Sequence, residues 1–522
     1  MKNPATMWKV AATALTCAPG ALFAAKTANA SAAARPQKGG RLNLLLITAD
    51  DLNCSTTPMF GCRVDALMPN IERLSGEGML FRRAHVTSAV SQPSRGALMT
   101  GLYPHNSGVD GFYHTPKDVA SFQETLQAAG YRIGIMGKVE HSTPKASIKW
   151  DYAGTDEQTH SGRDPQAYYK AITAFIARCK AEGRPFFFMG NSQDPHRPFA
   201  GSRDEVKKLG GVKNYPDPAR IYKPSEVEVP GFLPDLSDVR VELAQYYSSV
   251  HRLDESVGQM LRAIKDAGVE NNTLVIFLSD NGMSMPFSKT NNYLHSTHTP
   301  LIVKWPGVTK AGSEDDTHFI NGIDFMPTAL EALGIAVPKG LDGRSFLPLL
   351  QGMGQDGRDC VFTEFTENSA RAREPMRAVQ DEHFGYIYNV WSDGTRQFSS
   401  ETFQAMAWAA MKKAAAAGDE AIAARVRVCL YRTPEEFYDY AKDPDALHNL
   451  IDDPAYRMQI DRYRALLDRN LEATGDPVLA PFRARGDKAA AESFMQSQAQ
   501  LVRDRQRANA QQGGKGKRPA DE

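Results

Sequence analysis

Residues 42–51 read LNLLLITADD, a short, unbroken apolar run that closes on two carboxylates, Asp50 and Asp51. A run without polar alternation suits a strand buried on both faces of a parallel sheet. The same pattern recurs in TLVIFLSDNG from Thr273, RIGIMGK from Arg132, PFFFMGN from Pro185 and PLIVKWPG from Pro300. Helical patterns lie between them, SFQETLQAAG from Ser121 and the long segment from Glu242 to Gly268, which ends on the glycine expected past a helix C-terminus. Strands alternating with helices predict an α/β fold with a large, mostly parallel sheet sandwiched by helices. In such a sheet, ligands gather outside the carboxyl ends of the strands. Asp50, Asp51, Lys138, Asn191, Asp280 and Asn281 all fall at such ends.

The chain has 522 residues, enough for a large domain and a smaller one, and 61 basic residues balance 61 acidic ones. That balance gives no global pull toward nucleic acid or an anionic membrane, so any anion affinity must be local to a site. Lys2 and Lys9 precede a small-residue apolar run, VAATALTCAPGALFAA, and Ala28-Asn29-Ala30 completes the pattern of a secretory signal over residues 1–30. Export as a soluble protein ranks above lipid anchoring at Cys17, because Thr16 is a poor neighbour for a lipidated cysteine. No other run approaches the roughly 20 apolar residues a membrane crossing needs, so no stable membrane insertion is expected. Five cysteines follow the signal, an odd number, and Cys54 and Cys62 are close enough for either a disulfide or two buried thiols.

Near residue 370 the texture changes. MRAVQDEHFGYIYNVW from Met376 reads as two antiparallel strands joined at residues 383–385, followed by an Ala-rich helix at about 402–428. The predicted layout is a catalytic domain over 31–370, a C-terminal α+β subdomain with an antiparallel sheet over 371–483, and a polar tail over 484–522, helical or disordered.

The segment SAVSQPSRGALMTG, Ser88 to Gly101, carries the chemistry. Pro93 suits a first helical position, and Ser91 just before it would face free backbone N–H groups and the positive end of the helix dipole. Arg95 adds a planar fork matched to a tetrahedral oxyanion. From these residues alone, a helix-capping serine is an equal alternative. Asp50 and Asp51 at one strand end, with Asp280 and Asn281 at another, supply hard oxygens that suit Ca²⁺, with helix capping as the other use of such pairs.

The pattern S-x-P-S-R followed by A-L-M-T-G resembles the signature of the type I sulfatases, in which the first Cys or Ser is oxidised to Cα-formylglycine. The flanking motifs occur in that family's order: GKVEH at Gly137 to His141, QDPHRPF at Gln193 to Phe199 and PFSKTNNY around Lys289. The resemblance covers most of the chain after the signal, to about residue 480, and implies an alkaline-phosphatase-like fold. It implies a Ca²⁺ site made by Asp50, Asp51, Asp280, Asn281 and the formylglycine from Ser91. It further implies that the hydrated aldehyde attacks sulfur, that His196 protonates the leaving group, and that Arg95, Lys138, His141 and Lys289 complete the catalytic set. A serine at the modified position implies a radical maturase acting before export, hence a bacterial periplasmic or secreted enzyme.

Within the family, DPHR, the run from Val229 to Gly282 and EPMRAVQDEHFGYIYN from Glu374 look most like the heparan N-sulfatase branch. That implies a sulfated oligosaccharide partner with N-sulfoglucosamine, no nucleic acid, and a homodimer as the candidate assembly. Asp194 and Arg197 are then candidates for substrate binding, with a salt bridge inside the loop as the alternative. Departures from that branch are Ser91 itself, TENSARARE from Thr366, Lys289 in place of Arg and the spacing of GKVEH. They leave an O-sulfated polysaccharide open. A phosphatase or phosphodiesterase of the same fold, or a silent glycan binder with unconverted Ser91, are the rival classes.

Overall fold

Strand β1 (Asn43–Ala49) is the predicted LNLLLITADD run, and all seven of its residues are buried. In the computed structural model, which describes residues 41–154, 160–210 and 214–511, thirteen further strands follow among those residues. They are β2 (Met79–Phe81), β3 (Ala84–His85), β4 (Arg132–Met136), β5 (Tyr152–Gly154), β6 (Phe186–Asn191), β7 (Thr273–Ser279), β8 (Leu301–Lys304), β9 (Ser313–Asp315), β10 (Ile320–Asn321), β11 (Val361–Glu367), β12 (Arg373–Gln380), β13 (Phe384–Asn389) and β14 (Glu435–Asp439). The expected signal over residues 1–30, with Cys17, lies outside the described residues, as does the end of the tail from 512.

The main sheet has eight strands in the order β5-β4-β6-β1-β7-β8-β2-β9. From β5 to β7 every pairing is parallel, with Leu45 opposite Phe188 on one side and Val275 on the other. The PLIVKWPG run departs from expectation. Its strand β8 pairs antiparallel with both β7 and β2. The 280–300 segment joining β7 to β8 holds only the four-residue helix Leu294–Thr297 and brings Asn281 and Lys289 to the carboxyl end of β7, so the chain turns back from that end without a helical crossover.

Alternation along β1 feeds two cores. Leu45, Ile47 and Ala49 pack with Phe188, Phe277 and residues of the helices Pro165–Ala181 and Ser237–Asp266. Leu44 and Leu46 pack on the other face with Phe187, Ile276 and Met326. Each fully buried Leu or Ile of this kind contributes about 1.5–3 kcal/mol. This is the helix-sheathed α/β architecture expected from the sequence.

The C-terminal sheet is antiparallel, β11-β12-β13-β14; β12 and β13 form the expected hairpin, but the turn falls at residues 381–383, with Phe384 and Gly385 of the expected joint already in β13. The Ala-rich segment is two helices, Met406–Ala416 and Glu420–Tyr431, because Gly418 takes φ 101° and Asp419 caps the second helix through Ile422 N. The described residues all belong to one compact unit. Cys54, Cys62, Cys179, Cys360 and Cys429 are all free thiols, so no Cys54–Cys62 disulfide forms, and burial pushes both of those thiols up.

A buried charge cluster ties the C-terminal sheet to the α/β core. His105 Nδ1 lies 2.6 Å from Glu364 of β11 and 3.4 Å from Asp476, and Arg377 of β12 donates to Asp476 at 2.5 Å. The Arg377 guanidinium fills the place a cation would take. Burial lowers the His105 pKa, but Glu364 and Asp476 outweigh it and hold the ring above its ordinary value. A raised histidine pKa contributes stability below the unfolded value of about 6.5 that is lost as pH rises through the folded one. His105→Gln is therefore expected to flatten the dependence of Tm on pH between about 6 and 8. An unchanged slope in thermal melts across that range would remove this assignment.

Candidate active site

Ser91 opens the helix Ser91–Thr100, with Val90 as its extended N-cap residue. Pro93 is thus the third helical residue and not the first, and Ser91 takes the first place itself. Every residue of this helix is buried, so its N-terminus is wedged against the carboxyl ends of β1, β6 and β7. Ser91 Oγ donates to Asp50 Oδ1 at 3.2 Å.

Asp50 and Asp51 follow the last residue of β1, and Asp280 and Asn281 follow the last of β7, two adjacent strands in register. Register alone therefore brings the acids together. Asp51, at φ 66°, donates its backbone N–H to Asp280 Oδ1 at 3.1 Å, and Asn281 Nδ2 donates to Asp51 Oδ1 at 2.7 Å. All four residues are at most 1% exposed.

Arg95 is where the structure most changes the reading of the sequence. Its side chain is fully buried and donates from Nε to Asp280 Oδ2 at 2.9 Å and from Nη1 to Thr48 Oγ1 and Asn191 Oδ1, both at 2.8 Å. Nη2 adds an ion pair to Asp280 at 2.9 Å and lies 3.8 Å from Asp50. The fork is thus spent on clamping the ends of β1, β6 and β7, and is not presented to an oxyanion.

Two lysines complete the charge pattern. Lys138 Nζ sits 2.8 Å from Asp50 Oδ2, and Lys289 Nζ 3.0 Å from Asp51 Oδ1. Lys138 reaches inward because Gly137 lets the chain pass the end of β6. A Cβ there would lie 2.1 Å from the Asn191 carbonyl oxygen, and both residues have positive φ, 74° and 46°. Burial opposes charge on Lys289, but Asp51 and Glu401 outweigh it and raise its pKa. Burial would likewise raise Asp50, yet Lys138, His196 and Arg95 hold its carboxyl well below the usual range. Burial dominates at Asp280, pushed up to about 7 with help from Asp50 and Asp51 and only partial relief from Arg95.

His196 and His141 border the same centre. His196 Nδ1 lies 2.6 Å from the Arg197 carbonyl, which can only accept, so Nδ1 carries the proton and Nε2 points inward, 3.9 Å from Asp51. His141 Nδ1 is buried without a hydrogen-bond partner, and the ring meets Phe112 edge-on at 5.4 Å. Burial and the nearby Lys138 push both rings well below the ordinary histidine value.

Of the two candidates in DPHR, Asp194 is spoken for. Its carboxylate is fully buried, takes Arg252 Nε at 2.7 Å and Nη2 at 3.0 Å, and its carbonyl accepts from Asp50 N at 3.3 Å. It braces the loop and is not free to meet a substrate, which is the salt-bridge alternative. Arg197 keeps one fifth of its side chain exposed while pairing with Glu242 at 2.9 Å. Two members of the site went unread in the sequence. Arg252 sits inside a long helix with no motif around it, and Glu401, 3.6 Å from Lys289 Nζ with Oε2 unpartnered, opens a single 3₁₀ turn, Glu401–Gln404, too short to leave a pattern.

The donors suit a hard divalent cation. Oxygens of Asp50, Asp51 and Asp280 lie within 4.8 Å of one another, and Asn281 Oδ1 is buried beside them with no hydrogen-bond partner. An all-oxygen set with an orphaned amide oxygen matches the ligands Ca²⁺ and Mg²⁺ take.

Comparison with known proteins agrees with this geometry. Residues 42–335 match the family model described as Sulfatase, and residues 282–395 match N-sulphoglucosamine sulphohydrolase, C-terminal. The chain is 31% identical over 471 residues to N-sulphoglucosamine sulphohydrolase of Homo sapiens, covering 84% of this chain and 92% of that protein. It is 25% identical to an ulvan-active sulfatase of Formosa agariphila, over 84% of this chain and 76% of the relative. In fold it is similar to the crystal structure of a putative sulfatase from Bacteroides thetaiotaomicron, with TM-score 0.62 and 20% identity, covering 85% and 94% of the two chains. With more than half of the chain matched by the family model and a relative of this identity over most of its length, the chain belongs to the sulfatase family, and is a hydrolase of sulfuric esters or sulfamates.

Proposed function

We propose that this protein removes the sulfate group from N-sulfoglucosamine residues of a heparin- or heparan-type glycan, as a periplasmic or secreted enzyme. The observation that carries a sulfate-ester or sulfamate site is Ser91 at the helix start, bonded to Asp50 inside a cluster of three carboxylates faced by Lys138, Lys289, His141 and His196. The sugar is favoured by the 31% identity to the human N-sulphoglucosamine sulphohydrolase and by the C-terminal match over residues 282–395.

Asp50, Asp51, Asp280 and Asn281 would hold Ca²⁺, and Ser91, converted to formylglycine by a radical maturase, would supply the nucleophilic hydroxyl; together these groups provide charge neutralisation and attack at sulfur. The remaining steps belong to the chain's own side chains. Lys138 and Lys289 bring two ammonium groups to the sulfuryl oxygens. His196 faces the departing nitrogen or oxygen with Nε2, held in orientation by its Nδ1–H bond to the Arg197 carbonyl; it gives up an Nε2 proton as the imidazolium, the form a bound sulfate anion favours by its charge. His141 lines the pocket beside Lys138. Arg197 is placed to pair with a sugar carboxylate or sulfate. Arg95 acts through Asp280 and the strand ends as a positioning residue.

The test is sulfate release, measured by ion chromatography, from glucosamine sulfated at nitrogen, at O6, and from a uronate sulfated at O2. The N-sulfated sugar is expected to lead by at least about a hundred-fold in kcat/KM, the margin a site built around one leaving group can reach. Preference for an O-sulfate would retire the N-sulfo assignment and keep the sulfatase.

Glu401 gives a smaller effect. Its carboxylate faces Lys289 at 3.6 Å and repels an incoming anion. Glu401→Gln is expected to tighten inhibition by inorganic sulfate roughly two- to five-fold. Unchanged inhibition would mean that the carboxylate points elsewhere in the bound state.

A further inference from the structure

The helix Lys488–Gln511 does not float free of the fold. Its Arg505 Nη1 pairs with Asp110 at 2.7 Å, and its guanidinium lies 4.2 Å from the centre of the Tyr113 ring. Gln498 of the same helix accepts from Arg373 at 2.9 and 3.1 Å. Arg373 in turn pairs with Asp110 at 2.5 Å and Glu367 at 3.0 Å, and Tyr113 donates its hydroxyl to Glu367 at 3.0 Å. Arg371 adds a second guanidinium 4.5 Å from the Tyr113 ring. The Asp110–Tyr113 loop is thus gripped on one side by Glu367, Arg371 and Arg373 and on the other by the helix Lys488–Gln511. Gly111 brings the loop close to the Glu367 carboxylate, since a Cβ there would lie 2.5 Å from Glu367 Oε1.

The other side of this loop touches the active site directly. The Tyr113 carbonyl accepts from Gln92 Nε2 at 3.0 Å, one residue from Ser91, and the Phe112 ring packs edge-on against His141. Asp110 is the junction, with two arginines on one carboxylate. Burial works against its charge, and Arg373 and Arg505 outweigh that burial.

We propose that the C-terminal helix is a positioning element of the active site, acting through Arg505 on the Asp110–Tyr113 loop to fix Gln92 beside Ser91 and Phe112 against His141. The inference rests on the reading above in one respect, that Ser91 and His141 belong to the reacting centre. Misplacement of such groups by a fraction of an ångström lowers the rate without weakening binding of the ground state to the same degree.

The test uses the full chain with Arg505→Gln, Arg505→Lys and, from the opposite side of the pair, Asp110→Asn. Hydrogen exchange of the 110–114 amides is followed together with kcat and KM on the sulfated sugar. Arg505→Gln is expected to speed exchange in that loop and to cut kcat, each by about ten-fold, with KM within about two-fold. Arg505→Lys, which keeps the charge on Asp110 and above the ring, is expected to recover most of both. Asp110→Asn should repeat the Arg505→Gln effect and stands in for it should that variant fail to fold. A fall in Tm with loop exchange and kcat unchanged would overturn the proposal and leave the helix a stabilising strut. Were the wild-type chain to release no sulfate from any probe, the functional reading would fall, and the exchange measurement would still decide whether the helix holds the loop.

Discussion

Ser91→Ala is expected to lower sulfate release by on the order of 10⁴-fold or more, the scale on which removal of a covalent nucleophile acts. The side chain makes one hydrogen bond, to Asp50, so stability should change by only about 1 kcal/mol. Activity and folding should therefore separate cleanly, with Tm near that of the parent. Mass spectrometry of the Ser91 peptide from the host-made parent is the companion measurement, and loss of two hydrogens marks the formyl group. Retention of activity in the alanine variant, or an unmodified serine in active parent, would dismiss formylglycine chemistry and reopen phosphate esters.

Arg95→Ala is expected to behave oppositely and lose both properties at once. Arg95 bonds Asp280, Thr48 and Asn191 from full burial, and its loss leaves a buried carboxylate without its main partner. Breaking a buried pair from one side costs about 3–5 kcal/mol. Arg95→Lys should rescue little, because one ammonium cannot reach three acceptors that lie on three strands. Chemical denaturation reads the stability and sulfate release reads the rate. A stable, inactive Arg95→Ala protein would place the guanidinium at the substrate after all.

What could be read from sequence and what could not divide on physical grounds. LNLLLITADD, TLVIFLSDNG and PFFFMGN announced themselves because a doubly buried parallel strand needs an unbroken apolar run, and β1, β7 and β6 are such strands. Direction carries no such mark, so β8, equally apolar, gave no sign that it runs antiparallel. The three-residue strands β2, β5 and β9 are too short for any period to register. The acids at the strand ends were legible because two adjacent strands in register must present their last residues together. The partners of those acids were not. Arg252 finds Asp194 across 58 residues, and Arg505 finds Asp110 across 395. Neither pairing leaves a local pattern, and for the same reason the fork of Arg95 read as an anion clamp until its partners were in view.

The centre has an electrical consequence. Asp50, Asp51 and Asp280, the last pushed up to about 7, stand against Arg95, Lys138 and Lys289 in a water-poor interior, with Glu401 facing Lys289 as well. The carboxylates are thus already answered by cations of the chain, and a divalent cation accepted by them adds positive charge that at low dielectric draws an anion strongly. Cation and sulfate then become reciprocal ligands, each tightening the other by the same factor. Calorimetric titration of Ca²⁺ with and without saturating sulfate measures that factor from both directions.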